Sequence, residues 1–201
     1  MVFLNTVIID TSTDKSLVVF THGVDVLLKI LLPPGAQSSR HLMGAIESGM
    51  EQLHFTPSDL QAIAVGVGPG SYTGIRVGAA AAKGLAFPRS LPLVGICSLA
   101  GFISSQEGRF ASVIDARIGG AYVLRQERKG GAVIQHDAPR LVSPEELPSY
   151  LEGWPNLAGP HLDYPDPHHL ANLVAQKLSE HPIPLDLQLL YLRTPHYSIT
   201  P

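Results

Sequence analysis

The chain has 201 residues, 45% hydrophobic and only 15% charged, with a formal net charge of −3 and a pI near 6.3. That is enough apolar material for one large domain or two small lobes, and the mild acidity argues against a broad basic footprint for a nucleic-acid backbone. A single cysteine, Cys97, excludes an internal disulfide and accords with a reducing cytoplasm, and no stretch approaches the ~20 apolar residues of a membrane span.

Residues 1–9 are apolar but few, lack a basic leader and run into Asp10, as expected of a strand rather than a signal peptide. Residues 2–10, 15–22 and 24–32 are β-branched apolar runs separated by Thr-Ser-Thr-Asp and His-Gly, which predicts a three-stranded meander. Pro33-Pro34-Gly35 ends it, and Ser38 or Ser39 is expected to cap a helix with Leu42, Met43, Ile46, Met50 and Leu53 on one side, closed by Pro57. Residues 61–67 read as a short buried strand, and strand–helix alternation continues through 93–97, 99–105 and 112–127. Gly130-Gly131 reads as a hairpin-like turn, Ser143-Pro144-Glu145-Glu146 as a helix start, 154–168 as a Pro/Gly-rich loop and 169–178 as a helix.

Residues 64–87 carry the most specific signal: a strand that breaks at Gly66, Gly68, Pro69 and Gly70 and restarts as a small-residue helix. Thr73 is expected to cap that helix, with Gly74, Gly78 and Ala82 on one face. Nucleotide-site readings fit poorly. The last gap of a dinucleotide fingerprint would be one residue too long (Gly68, Gly70, Gly74) with an apolar stretch downstream; Lys83-Gly84 reverses the Walker order; and Pro69 breaks the nucleophile elbow around Ser71.

Gly68-Pro69-Gly70-Ser71-Tyr72-Thr73-Gly74-Ile75-Arg76-Val77-Gly78 matches instead the GPGS-(F/Y)-TG-(L/I)-R-(V/I)-G signature, so the chain resembles the TsaB (YeaZ) family of the bacterial tRNA threonylcarbamoyladenosine machinery. Ile9-Asp10-Thr11-Ser12 is similar to the opening turn of the actin/hexokinase/Hsp70 superfamily. Asp115-Ala116-Arg117 with Ala121-Tyr122-Val123 looks like the family's DAR-x-G-E-V-Y, and Tyr191-Leu192-Arg193 like its YLR. Two departures stand out: Gly120 where the family carries glutamate, and Leu189 where proline is common.

The resemblance implies an α/β, actin-like (ASKHA, ribonuclease H-like) two-lobed fold of mixed sheets flanked by helices. Its lobes would be residues 1–104 and 105–201, with the last helix packing back on the first. It implies a non-catalytic scaffolding subunit paired with a TsaD-type paralogue, together with a TsaE-type ATPase. The chain alone would be free to homodimerise, would meet tRNA only through the complex, and would work in the cytoplasm away from membranes. The TsaD-type His-x-x-x-His is replaced by Ser98 and Phe102, which cannot serve as two imidazole ligands, so no metal or cofactor of its own is expected. ATP or ADP and magnesium would sit only at the partner or at a shared interface.

Asp10, Thr11 and Asp115 are the nucleotide-site remnant, and on them rests the rival reading, an active ATP-dependent phosphoryl or carbamoyl transferase. A peptidase lacks any nucleophile pair or zinc motif. His168-His169, beside Asp163 and Asp166, lacks metal-ligand spacing and reads as a solvated loop, and Arg125 to Lys129 as a solvated strand end. The expected partner interface is Leu42, Met43, Ile46, Met50, Gly78 and Ala82, with Tyr72 and Arg76 in structural roles.

Overall fold

The computed structural model of the chain describes residues 3–34, 37–117, 119–180 and 187–192. Strands β1 (Asn5–Asp10), β2 (Leu17–His22) and β3 (Asp25–Leu31) form the antiparallel meander. β4 (Ala62–Gly66) and β5 (Leu93–Ile96) add in parallel beyond β1, giving the order β3-β2-β1-β4-β5. β1, β2 and β4 are buried on both faces along apolar runs at residues 7–9, 17–20 and 62–65, whereas β3, at the edge, alternates.

Helices α1 (Gln37–Gln52) and α2 (Tyr72–Ala86) cover one face of this sheet. α1 begins ahead of the expected Ser38 or Ser39 cap. α2 is capped by Ser71, whose Oγ accepts from Gly74 N at 3.2 Å; Thr73 falls inside the first turn, where it cannot serve as a cap. Leu42 and Ile46 are buried and Met50 half-buried against Val7, Phe20 and Ile63. Met43, expected on that side, is 52% exposed, because one helical step turns it about 100° away from Leu42. Gly49 takes the third inward position, under the Phe20 ring.

Gly78 and Ala82 also differ from the expected interface. A Cβ on Gly78 would stand 2.6 Å from Thr11 Oγ1 and 3.4 Å from Val65 Cγ2, and Ala82 is wholly buried in the same core. The small-residue stripe therefore lets α2 lie close on its own sheet. The outward residues of α2 are Tyr72, Thr73, Arg76, Ala80, Lys83 and Gly84, with Phe87 just beyond the helix.

The second sheet has the order β10-β6-β7-β8, from β6 (Gly108–Asp115), β7 (Ala121–Lys129), β8 (Ala132–Gln135) and β10 (Asn156–Ala158), with β9 (Arg140–Val142) also paired to β7. Gly130-Gly131 is the β7–β8 turn, and α3 (Leu147–Tyr150) follows Ser143. β10 lies in the stretch expected to be all loop; three residues are too few to show a period. Arg125 of the basic stretch pairs with Asp137 at 2.6 Å and stacks over Tyr150 and Trp154.

α4 (Pro167–Glu180) returns to the first sheet. Its Leu170, Val174 and Leu178 pack with Ile8, Leu17, Val19 and Ile96 on the face opposite α1 and α2. No helix among the described residues is long and apolar enough to cross a membrane.

Overpacking and relief can be compared on one helix. In urea denaturation, Gly78→Val is expected to destabilise the chain by about 1–3 kcal/mol. Gly84→Ala, with nothing within 4 Å of its would-be Cβ, is expected to stabilise it by about 0.5–1 kcal/mol. Equal stability of Gly78→Val and the parent would refute the close approach of α2 to β1.

Candidate functional site

The glycine turn between β4 and α2 closes around the turn that follows β1. Ser71 N donates to Ser12 O at 2.7 Å, and Thr11 Oγ1 donates to Gly74 O at 2.7 Å. Glycines recurring every fourth residue receive successive atoms of the β1–β2 turn. A Cβ at Gly66 would collide with the Asp10 carboxyl, at Gly70 with the Ser12 carbonyl, at Gly74 with the Thr11 carbonyl and at Gly78 with the Thr11 hydroxyl. Gly68 supplies a left-handed conformation (φ +96) that a side chain would resist, and Pro69 follows it through a cis peptide. Ser98 pins the turn from the far side: its N donates to Gly68 O at 2.8 Å and its Oγ accepts from Gly68 N at 3.2 Å.

Among the described residues Asp10 is the only carboxylate inside this junction, and it is 2% exposed. Oδ1 accepts from Ser12 N at 2.8 Å and so caps the turn, while Oδ2 lies against Gly66 with no hydrogen-bond partner. Burial drives its pKa upward, with the serine groups around it, Ser12 and Ser98, opposing the shift. Ser12 Oγ is likewise buried without a partner. Among the described residues no three His, Cys, Asp or Glu side chains group as metal ligands, and a hard divalent cation wants about six oxygens. A single carboxylate biased toward its neutral form does not fit one.

Asp115, the other remnant carboxylate, is exposed at the end of β6, where Oδ1 accepts from Arg117 N at 2.7 Å. It makes no hydrogen bond to the Asp10 turn among the described residues. Gly120, where the sequence departs from the DAR-x-G-E-V-Y pattern it resembles, has φ +111, and a Cβ there would strike the Val142 carbonyl of β9. This backbone excludes the missing side chain. Phe102 is buried in the core of the second sheet, and Cys97 is half-buried against the same core, where desolvation pushes its thiol pKa up. His168 and His169 are in the first turn of α4 rather than in a loop; Asp166 Oδ1 caps that turn from His169 N at 2.7 Å, and burial lowers the His169 pKa. Arg193 lies outside the described residues, whereas Tyr191 and Leu192 lie within them.

Among the described residues the amides of Gly68, Ser71 and Gly74 at this junction are already spent within the protein. What remains available is the outer surface of α1 and α2, where Gly44, Ala80, Gly84 and Phe87 join Met43. The expected interface omitted those four residues. The missing signal was the sidedness of α2, which becomes legible once Ile75, Gly78, Ala79 and Ala82 are assigned to the sheet.

The Asp10 geometry sets a pH dependence. With the folded pKa raised, the folded state holds a proton that the unfolded chain has released, so stability falls as pH climbs from the unfolded value of 3.8 through the folded one. Asp10→Asn removes that penalty. Its stability relative to the parent is expected to rise with pH from acid to neutrality in parallel urea titrations; a difference independent of pH would contradict the raised pKa.

A family model described as TsaD, tRNA N6-adenosine threonylcarbamoyltransferase, matches residues 34–163. A Haemophilus influenzae protein named tRNA threonylcarbamoyladenosine biosynthesis protein TsaB is 31% identical, over 68% of this chain and 71% of that protein. The Bacillus subtilis protein of the same name is 34% identical over 46% of this chain, and the match takes in only 42% of that relative's length. A solved structure titled YeaZ from Pseudomonas aeruginosa superposes with a TM-score of 0.75 at 21% identity, covering 92% of this chain and all of that one, which establishes the shared fold. The signature on the glycine turn, the mixed sheets flanked by helices and these matches agree: the chain belongs to the TsaB (YeaZ) family, with an actin-like α/β fold.

Proposed function

We propose that this chain is a non-catalytic subunit of the machinery that makes threonylcarbamoyladenosine in bacterial tRNA, docking on a TsaD-type transferase through the open face of α1 and α2. The observation that carries this reading is the make-up of that face. Met43 is 52% and Phe87 85% exposed, and Gly44 and Gly84 stand inside helices with open space where a Cβ would be. An exposed helical glycine costs about 0.5–1 kcal/mol relative to alanine, and no contact among the described residues offsets that cost here. Small residues beside bare methionine and phenylalanine on adjacent helices suit a second helix pair packing closely on them. Leu42, Ile46 and Met50 brace the face from beneath.

A catalytic role has weaker support. The Ser98 hydroxyl is committed to Gly68, and the Phe102 ring fills a core, so neither position offers a metal ligand. The rival ATP-dependent transferase working through Asp10 and Asp115 needs an ionised Asp10, which burial opposes. Transfer chemistry, ATP or ADP and magnesium then belong to the partner or to a shared interface. A TsaE-type ATPase would act on the same assembly, tRNA would be held through the complex in the cytoplasm, and the isolated chain would be free to pair with a second copy.

The test is binding to the TsaD-type paralogue of the same organism, by calorimetry, with threonylcarbamoyl transfer assayed for each protein alone and together. The chain alone is expected to be inactive. Phe87→Ala and Gly84→Leu should each weaken the complex at least about tenfold, or ~1.4 kcal/mol. Leu162→Ala, 61% exposed in the loop leading to α4, should leave it unchanged. Transfer by the isolated chain, or parental affinity in both interface variants, would overturn the reading.

A further inference from the structure

Arg76, the arginine of the signature, is held by two tyrosines far apart in sequence. Its guanidinium carbon lies 3.9 Å from the Tyr72 ring centroid, Nε donates to Tyr191 Oη at 3.2 Å, and the two rings pack with centroids 5.5 Å apart. Tyr191 arrives on an extended strap. Leu187 is buried beside Gly95, Leu189 and Leu190 pack on the core of the first sheet, and Leu190 N donates to Val67 O at 2.8 Å. Residues 187–192 thus cross the end of β4 and finish at the outward face of α2.

Tyr72 and Tyr191 remain 45% and 42% exposed, and Arg76 is exposed between them. Holding a long cationic side chain still at a surface costs rotamer entropy. An acidic partner within the chain would offset that cost, but none is present among the described residues. α2 contains no Asp or Glu, and among the described residues neither Arg76 nor Lys83, two turns further along the same stripe, makes an ion pair. With Nε engaged by Tyr191, the two terminal nitrogens of Arg76 keep the fork that matches a carboxylate from outside.

We infer that Arg76, pre-set by Tyr72 and Tyr191, is the polar anchor of the docking face and receives an aspartate or glutamate carboxylate of the TsaD-type partner. This rests on the docking reading above and deepens it. Tyr191 is then a positioning residue: the strap couples the C-terminal part of the chain to partner recognition. Glu47 and Glu51, exposed on α1, make a second copy of this chain the competing source of a carboxylate.

The test is the affinity of the full chain for the TsaD-type paralogue at low and high salt, with homodimerisation followed by sedimentation and folding by circular dichroism. Arg76→Ala is expected to weaken the complex about tenfold at low salt and to flatten its salt dependence. Arg76→Lys, which keeps the charge and loses the fork, should not restore affinity. Tyr191→Phe, which removes the acceptor oxygen but keeps the ring, should fall between the parent and Arg76→Ala, and it decides the matter should Arg76→Ala fail to fold. Parental affinity in Arg76→Ala and Tyr191→Phe, with Phe87→Ala still disruptive, would overturn the anchor and leave the docking reading intact. Loss of homodimer without loss of partner affinity would assign the carboxylate to Glu47 or Glu51 of a second copy and overturn it too. Failure of the parent to bind would remove both proposals.

Discussion

Backbone-to-backbone contact between the turn after β1 and the start of α2 is the constraint on which the rest of the structure depends. Ordinary helix-on-sheet packing sets one layer of side chains against another, whereas here Ser71 N reaches Ser12 O directly and the short Thr11 side chain reaches the Gly74 carbonyl. Contact of that kind excludes Cβ atoms, so glycine recurs at 66, 70, 74 and 78. The same approach sets the depth of α2, which buries Ile75, Ala79 and Ala82 and leaves Arg76, Ala80 and Gly84 outside.

Closing the junction this tightly changes the electrostatics of Asp10. In an open turn a carboxylate can share its charge with water and a cation; here Oδ2 faces Gly66 without a donor, and burial favours the proton. The second turn is constrained for a different reason. Gly120 runs so close to the Val142 carbonyl, in a left-handed conformation, that no side chain could project from it. Both turns are thus closed against other parts of the chain: Gly66 against the Asp10 carboxyl and Gly120 against the Val142 carbonyl.

What the fold leaves over is a surface. α4 covers one face of the first sheet and α1 with α2 the other, so the layer of α1 and α2 is the outermost. Its outward residues, Met43, Gly44, Gly84 and Phe87, make poor sense against water. The strap of residues 187–192 reaches that layer from the opposite end of the chain and fixes Arg76 within it.

The family, the fold class and the meander were legible in the sequence, because they depend on local patterns: β-branched runs divided by turns, and a glycine signature whose spacing follows the backbone it must admit. Sidedness was not. Residues one step apart on a helix differ by about 100°, so of the residues expected together at the interface Leu42, Ile46, Gly78 and Ala82 turned to the sheet while Met43 stayed outside. Nor could the sequence place Tyr191 against Arg76, 115 residues away, or bury Asp10 without a partner for Oδ2, since both depend on which segments meet after folding. Sequence by itself determined which chemistry this chain can carry, and tertiary structure alone decided which residues face water, because exposure belongs to the packed arrangement and not to any residue in it.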